Sequence, residues 1–212
     1  MLKTNKIRFL SLFSGIEAGS VAWEPLGWEC VGVSEIDPFP CSVLKQRYPN
    51  VPNLGDVTSI TKEQLDAIQK DDPITVILGG SPCQSFSIAG KRGGLNDPRG
   101  NLMFEFCRIV GSVRPKWFVW ENVTGALSSG KGSDFACLLT EMAQFGYSLG
   151  WRVLDAQYFG VPQRRRRVFL VGCLGDRRGP FKVLFDRKGL QGDYSESREK
   201  RENDTPQTSE SL

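Results

Sequence analysis

Ile74-Thr75-Val76-Ile77-Leu78-Gly79-Gly80-Ser81-Pro82-Cys83-Gln84-Ser85-Phe86-Ser87 is the stretch on which the reading of the fold turns. A mostly apolar run, Ile74 to Leu78, passes without alternation into a turn rich in Gly, Pro and Ser. Such a run reads as a strand covered on both faces, the pattern of a parallel sheet flanked by helices. The turn then presents the thiol of Cys83 to a cleft at the strand end, rather than to the core. The chain contains no histidine. If there is a covalent step, Cys83 is the nucleophile to consider, and Cys–His pairs and His-containing metal sites are excluded.

Outward from this strand, short apolar runs alternate with segments that suit helices. Strands are predicted at 7–13, 29–34, 51–54, 117–120, 150–156 and 168–172. Helices are predicted at 18–26, 38–47, 61–69, 102–113 and 133–145. Pro38 suits a helix start, and Thr61 with Gln64 can form the Gln version of a capping box. Continuous apolar strands separated by helices predict an α/β domain with a doubly wound, mostly parallel sheet. One catalytic domain is expected over 1–185. From Asp186 to Leu212 the large apolar residues are Leu190, Tyr194 and Leu212. This composition predicts a polar, disordered tail.

The 212 residues are 40% hydrophobic and 24% charged, a soluble globular balance large enough for a proper core. No apolar run approaches the roughly 20 residues of a membrane span, and the N-terminus does not read as a signal peptide. The six cysteines are scattered with no C-x-x-C pair. That spacing argues against a disulfide framework, for small core residues in most cases, and for a reducing cytoplasmic setting. The net charge of +3 is mild, but Lys91, Arg92, Arg99, Arg114, Lys116 and Arg164 to Arg167 cluster in or beside loops. Local basic clusters suit a polyanion, although a solvated charged face is the commoner origin of any one of them.

Three features lie at the predicted strand ends on one edge. Phe13-Ser14-Gly15-Ile16-Glu17-Ala18-Gly19 joins the first strand to the first helix, with glycines that permit a tight turn and close ligand approach. Neither the dinucleotide fingerprint nor the P-loop pattern is present. Glu35 lies 20 residues after Gly15, placed to accept hydrogen bonds from ribose hydroxyls. Asp56, after the third short strand, is positioned either to bind an adenine amino group or to close a simple Asx turn. Together they favour a nucleoside-containing cofactor without a phosphate cradle. S-adenosylmethionine meets that description better than NAD.

The apolar strand at 117–120 leads into Glu121, delivered to the edge that carries Cys83, where a carboxyl group can accept or donate a proton. In the run Arg164 to Arg167, strand alternation points Arg165 and Arg167 to one face and Arg164 and Arg166 to the other. One pair then faces the cleft while the other meets solvent or phosphate. Residues 86–99 are long, polar and glycine-containing, the composition of a loop that closes over a site.

These blocks, taken together, resemble the DNA (cytosine-5) methyltransferases. The matching segments are FSGIEAG at 13–19, SEID at 34–37, GDV at 55–57, GSPCQSFS at 80–87, RGNL at 99–102, ENV at 121–123 and QYFGVPQRRRR at 157–167. They occur in the family's order over residues 7 to about 175. The resemblance implies methyl transfer from S-adenosylmethionine to C5 of a cytosine in DNA, flipped out of the duplex. Cys83 would attack C6 and Glu121 would hold N3. Arg165 and Arg167 would contact the base and the cysteine region, keeping the thiol ionised. Asn122 and Gln84 would be supporting residues. Phe13 would stack on the adenine and Glu35 would bind the ribose. Ser14, Gly15, Ile16, Glu17, Ile36, Asp56, Val57, Pro82 and Leu102 complete the cofactor contacts implied.

The family's variable target-recognition region and its late Asn-containing block are not recognisable after residue 167. Three readings therefore stay open at this point: an enzyme whose recognition comes from a second chain, a truncated form that retains cofactor binding, and a nucleic-acid-binding module. An RNA cytosine methyltransferase also remains among the alternatives.

Overall fold

The structure, a computed structural model, describes residues 6–82 and 102–185. Cys83, Gln84, the loop at 86–99 and the tail at 186–212 lie outside the described residues. Six strands form one sheet: β1 (Arg8–Leu12), β2 (Glu29–Ser34), β3 (Val76–Gly79), β4 (Trp117–Val123), β5 (Tyr147–Asp155) and β6 (Arg166–Leu174), in the order β2-β1-β3-β4-β6-β5. The β1–β2, β1–β3 and β3–β4 pairs are parallel, whereas β6 is antiparallel to both β4 and β5. The sheet is thus mostly parallel, as the apolar runs predict.

Helices cover both faces. On one side, Trp23 at the end of α1 (Ala18–Trp23) and Leu44 of α2 (Pro38–Arg47) pack with Phe9, Cys30, Val33 and Val76. On the other, α3 (Lys62–Gln69), α4 (Leu102–Val113) and α5 (Ser133–Gln144) bury Leu65, Phe106, Ile109, Leu138 and Met142 against Leu10, Ile77, Phe118 and Trp120. Fully burying each such side chain contributes roughly 1.5–3 kcal/mol. Thr61 and Gln64 do form the reciprocal capping box at the start of α3. A sixth helix, α6 (Gly179–Phe185), is missing from the sequence reading. Seven residues opening on Gly-Pro are too short for a 3.6-residue period to declare itself.

The strand predicted at 51–54 is reduced to one bridge, Val33 with Asn53. The cause lies in Pro52: its carbonyl accepts from Val33 N, and Leu54 N returns a bond to Val33 O, but proline has no N–H with which to extend the ladder. The other predicted strands are present: β3 begins two residues later than expected, and β4, β5 and β6 are longer than expected because β6 pairs antiparallel along the full length of both neighbours.

The connection from β1 runs to β2 on one side, while β3 pairs with the other side of β1. A crevice opens beyond the carboxyl ends at such a switch point. Around it lie the turn after β1, the turn after β2 and the segment that follows β3.

Candidate active site

The turn after β1 is built from left-handed backbone. Phe13, Gly15 and Glu17 have φ values of 54°, 55° and 68°. Ser14 staples this turn to the end of β2: its N–H donates to Ser34 O at 3.0 Å, and its Oγ donates to Ser11 O and accepts from Ser34 N. Glu35 completes the bridge. Its Oε2 accepts from Gly15 N at 2.8 Å, and its Oε1 accepts from Ile36 N and Asp37 N, both at 2.8 Å. The carboxylate is thereby held rigidly at the crevice, with lone pairs remaining for an incoming hydroxyl.

Asn53 positions Glu35 and is missing from the sequence reading. Its Oδ1 accepts from Glu35 N and Gly55 N, while its Nδ2 donates to Glu35 O at 3.0 Å. The signal was an asparagine beside a Gly-Asp turn, a residue type that habitually bonds nearby backbone. Asp56 forms the Asx turn: Oδ1 accepts from the N–H and hydroxyl of Thr58 at 2.9 and 2.8 Å.

The remaining cofactor candidates differ in what they expose. Ile16 and Ile36 are exposed at the crevice, and Phe13 is half-buried against the core. Val57 is buried, so its side chain serves the core. Leu102 opens α4 and packs against the same core. Pro82 is exposed at the end of the described segment. Glu17 is turned inward: 1% exposed, it caps α1 by accepting from Ser20 N at 2.9 Å. Burial raises its carboxyl above the ordinary value of 4.5.

A nucleoside-containing cofactor fits this crevice. Among the described residues, a Cβ added at Gly15 or Gly55 would meet nothing within 4 Å. The open space between the two turns is bordered by carboxylates that accept hydroxyls or an amino group, and by the exposed aliphatic Ile36.

The second half of the site lies at the ends of β3 and β4. Glu121, near the end of β4, sits opposite Phe169 in the strand register, and Val123, two residues further on, sits opposite Arg167 at the start of β6. Arg167 Nε stands 3.0 Å from Glu121 Oε1, and Arg165 reaches the same oxygen at 4.0 Å. These three line a cavity of about 370 Å³ with Leu154, Ala156, Phe159 and Phe169. Arg164 and Arg166 line a different cavity, so the alternation expected along the run is present. Asp155, absent from the sequence reading, fixes the entry of Arg165 by accepting from its N–H at 3.0 Å.

The segment that leads to Cys83 is clamped to β4. A Cβ at Gly80 would lie 2.9 Å from Glu121 O and 3.1 Å from Glu121 Oε2, so only glycine lets the two chains approach this closely. Asn122, 4% exposed, donates from Nδ2 to Ser81 O at 2.8 Å and accepts from Val123 N. Trp120 Nε1 donates to Ser81 Oγ. Two residues before Cys83 the backbone is therefore fixed beside Glu121. Asn122 acts on this segment, not only on its own loop. Cys30 and Cys107 lie in the core, where burial pushes their thiols up to about 12 and leaves them inert packing groups.

A doubly wound sheet with a cofactor crevice at its switch point and a carboxylate–arginine cluster beside it defines the methyltransferase class of fold. The pattern of the C-5 cytosine-specific DNA methylases matches residues 7–210, and the chain belongs to that family. It is 40% identical over 176 residues to the Type II methyltransferase M.AquIA of Picosynechococcus, covering 78% of this chain and 71% of that protein. It is 37% identical over 182 residues to M.NgoBV of Neisseria gonorrhoeae, covering 80% of this chain but 42% of that one. An Escherichia phage P1 protein named for adenine N-6 methylation is 38% identical over 91% of this chain, which corresponds to only 32% of the phage protein. Among solved structures, one described as a DNA modification methyltransferase of an E. coli prophage superposes with a TM-score of 0.68 at 26% identity, covering 80% of this chain and 47% of that one. The Dnmt2 methyltransferase of S. pombe shares the fold at 22% identity, with a TM-score of 0.66 and coverage of 81% and 52%. The chain spans about half or less of the length of most of these relatives.

Proposed function

We propose that this chain transfers a methyl group to C5 of a cytosine in DNA through a covalent adduct at Cys83. The observation that carries the reading is the junction of β3 and β4, where Glu121 meets Arg167 at 3.0 Å and lies against Gly80, three residues before Cys83. S-adenosylmethionine, when bound, supplies an electrophilic methyl group. The Cys83 thiolate forms a bond to C6, which pushes the ring's electron pair to C5. Glu121 holds N3 and its proton while that charge develops. Arg165 and Arg167 hold the carboxylate in place and compensate its charge. After methylation, a solvent water takes the C5 proton, the C5–H electron pair re-forms the C5–C6 double bond, and the C6–S bond breaks with its pair returning to Cys83 as thiolate.

Glu35 and Asp56 bind the ribose hydroxyls and adenine amino group, with Phe13 and Ile36 against the adenine. The remaining contacts come from Ser14, Gly15, Ile16 and the backbone at Glu17, Val57, Pro82 and Leu102. Gln84 supports the nucleophile's segment. The target base leaves the duplex to reach the cavity, since C6 and N3 are inaccessible within the stack. Such work belongs in the cytoplasm, where DNA and cofactor meet, and no described helix is long and apolar enough to cross a membrane.

The test uses the purified chain with S-adenosylmethionine and a pool of random-sequence duplexes containing 5-fluorocytosine. Fluorine at C5 blocks proton loss and traps the adduct. A denaturant-resistant protein–DNA species is expected from the wild type and not from Cys83→Ser. Glu121→Gln should slow its formation by about 10²-fold or more. No adduct from a folded wild-type chain would overturn self-sufficient catalysis. An adduct appearing only when a second chain is added would assign target recognition to that chain.

A further inference from the structure

The hairpin of β5 and β6 carries a second cavity on the side away from Glu121. It encloses about 680 Å³ and is lined by Arg152, Asp155, Tyr158, Phe159, Arg164 and Arg166, among others. Its charge is one-sided. The Asp155 carboxylate is occupied by the N–H of Arg165 and by the backbone and side-chain nitrogens of Gln157. Arg152 is fixed by a bond to Leu184 O at 2.8 Å, with its guanidinium 5.2 Å from the Phe185 ring centroid. Arg164 and Arg166 are exposed and form no ion pair with any carboxylate among the described residues. Tyr158 and Phe159 stand beside them, each about half exposed.

Leu154 and Phe159 line both this groove and the Glu121 cavity. The two are therefore neighbouring compartments on opposite sides of one strand. Because Leu154 and Phe159 wall both, a nucleic acid that delivered a base to one would bring its adjoining backbone close to the other.

We propose that this groove is a track for the DNA backbone, in which Arg164 and Arg166 bind phosphates and Tyr158 and Phe159 pack against sugar or an unstacked base. The inference rests on DNA being the substrate. Contacts of this kind position the duplex and carry no sequence information. They give affinity that falls with salt as counterions are released.

The experiment compares wild type with the double variant Arg164→Ala/Arg166→Ala, titrating labelled duplexes of several unrelated sequences at a series of salt concentrations. Loss of two phosphate contacts should lower the slope of log affinity against log salt by about two. Affinity at physiological salt should fall about tenfold, by the same factor for every sequence. Arg164→Lys/Arg166→Lys should restore most of the slope. S-adenosylmethionine affinity should be unchanged, as should 5-fluorocytosine adduct yield at saturating DNA. An unchanged slope in the alanine variant, with the adduct still formed by wild type, overturns the groove and leaves the catalytic reading standing. Aggregation of the variant at an unchanged slope would mean that the arginines only guard the exposed edge of β5. Absence of DNA binding by the wild type would overturn the groove together with self-sufficient catalysis.

Discussion

Glu17 combines a left-handed backbone with a carboxyl buried at the start of α1. Its Oε1 caps the helix, while its Oε2 is buried with no hydrogen-bond partner among the described residues. Burial raises its ionisation above 4.5, the value at which the unfolded chain titrates. Below that value the group is protonated in both states, and its contribution to stability is complete. As pH rises through the folded-state value, ionisation costs the native state more than the unfolded one, and that contribution is lost. Glu17→Gln keeps the capping oxygen and removes the titration. Its stability in urea should match wild type below pH 4.5, exceed it increasingly as pH rises from there through the raised folded-state value, and hold a constant lead above it. A difference already constant from below pH 4.5 upward would exclude burial of the charge as the cause.

At the scale of elements, two close approaches hold the sheet and the site together. Gly172 of β6 lies under the Phe118 ring of β4, where a Cβ would stand 2.0 Å from a ring carbon. Phe118 cannot simply swing away, because Phe106 and Tyr147 meet it edge-on at 6.0 and 5.0 Å. Gly172→Ala should cost about 1–3 kcal/mol, read as a lower urea midpoint. Asn122 is the corresponding tie between β4 and the segment after β3. Asn122→Ala leaves Ser81 O buried without its donor and should cost about 1–3 kcal/mol. Unlike Gly172→Ala, it should also slow adduct formation under conditions where the protein stays fully folded. Equal adduct rates would reduce Asn122 to a packing residue.

For the whole molecule, the parallel arrangement brings the ends of β1, β2, β3 and β4 to one edge, and the antiparallel β6 enters from that same edge. A ligand bound there touches turns from several strands and stabilises the entire sheet. S-adenosylmethionine at about 100 times its Kd should add roughly 2.7 kcal/mol. For a chain of this size, that amounts to a Tm rise of about 5–10 °C. Glu35→Ala should remove most of that rise and weaken binding measured by calorimetry; an unchanged affinity would remove Glu35 from the cofactor site. The sequence by itself determined the strand at 29–34, the helices at 38–47 and 102–113, a strand within two residues of the observed Val76–Gly79, and that Arg165 shares a face with Arg167 and Arg164 with Arg166. Each of these follows from local chemistry: apolar run length, a proline at a helix start, a period of two. What local pattern could not declare is which distant groups meet. The clamp of Asn122 on Ser81, the hold of Asn53 on Glu35, the inward turn of Glu17 and the meeting of Arg167 with Glu121 all depend on strands adjacent in space but far apart in the chain. Only the tertiary structure decides such pairings, because packing the sheet fixes which backbone groups are left to be satisfied and which side chains lie within reach.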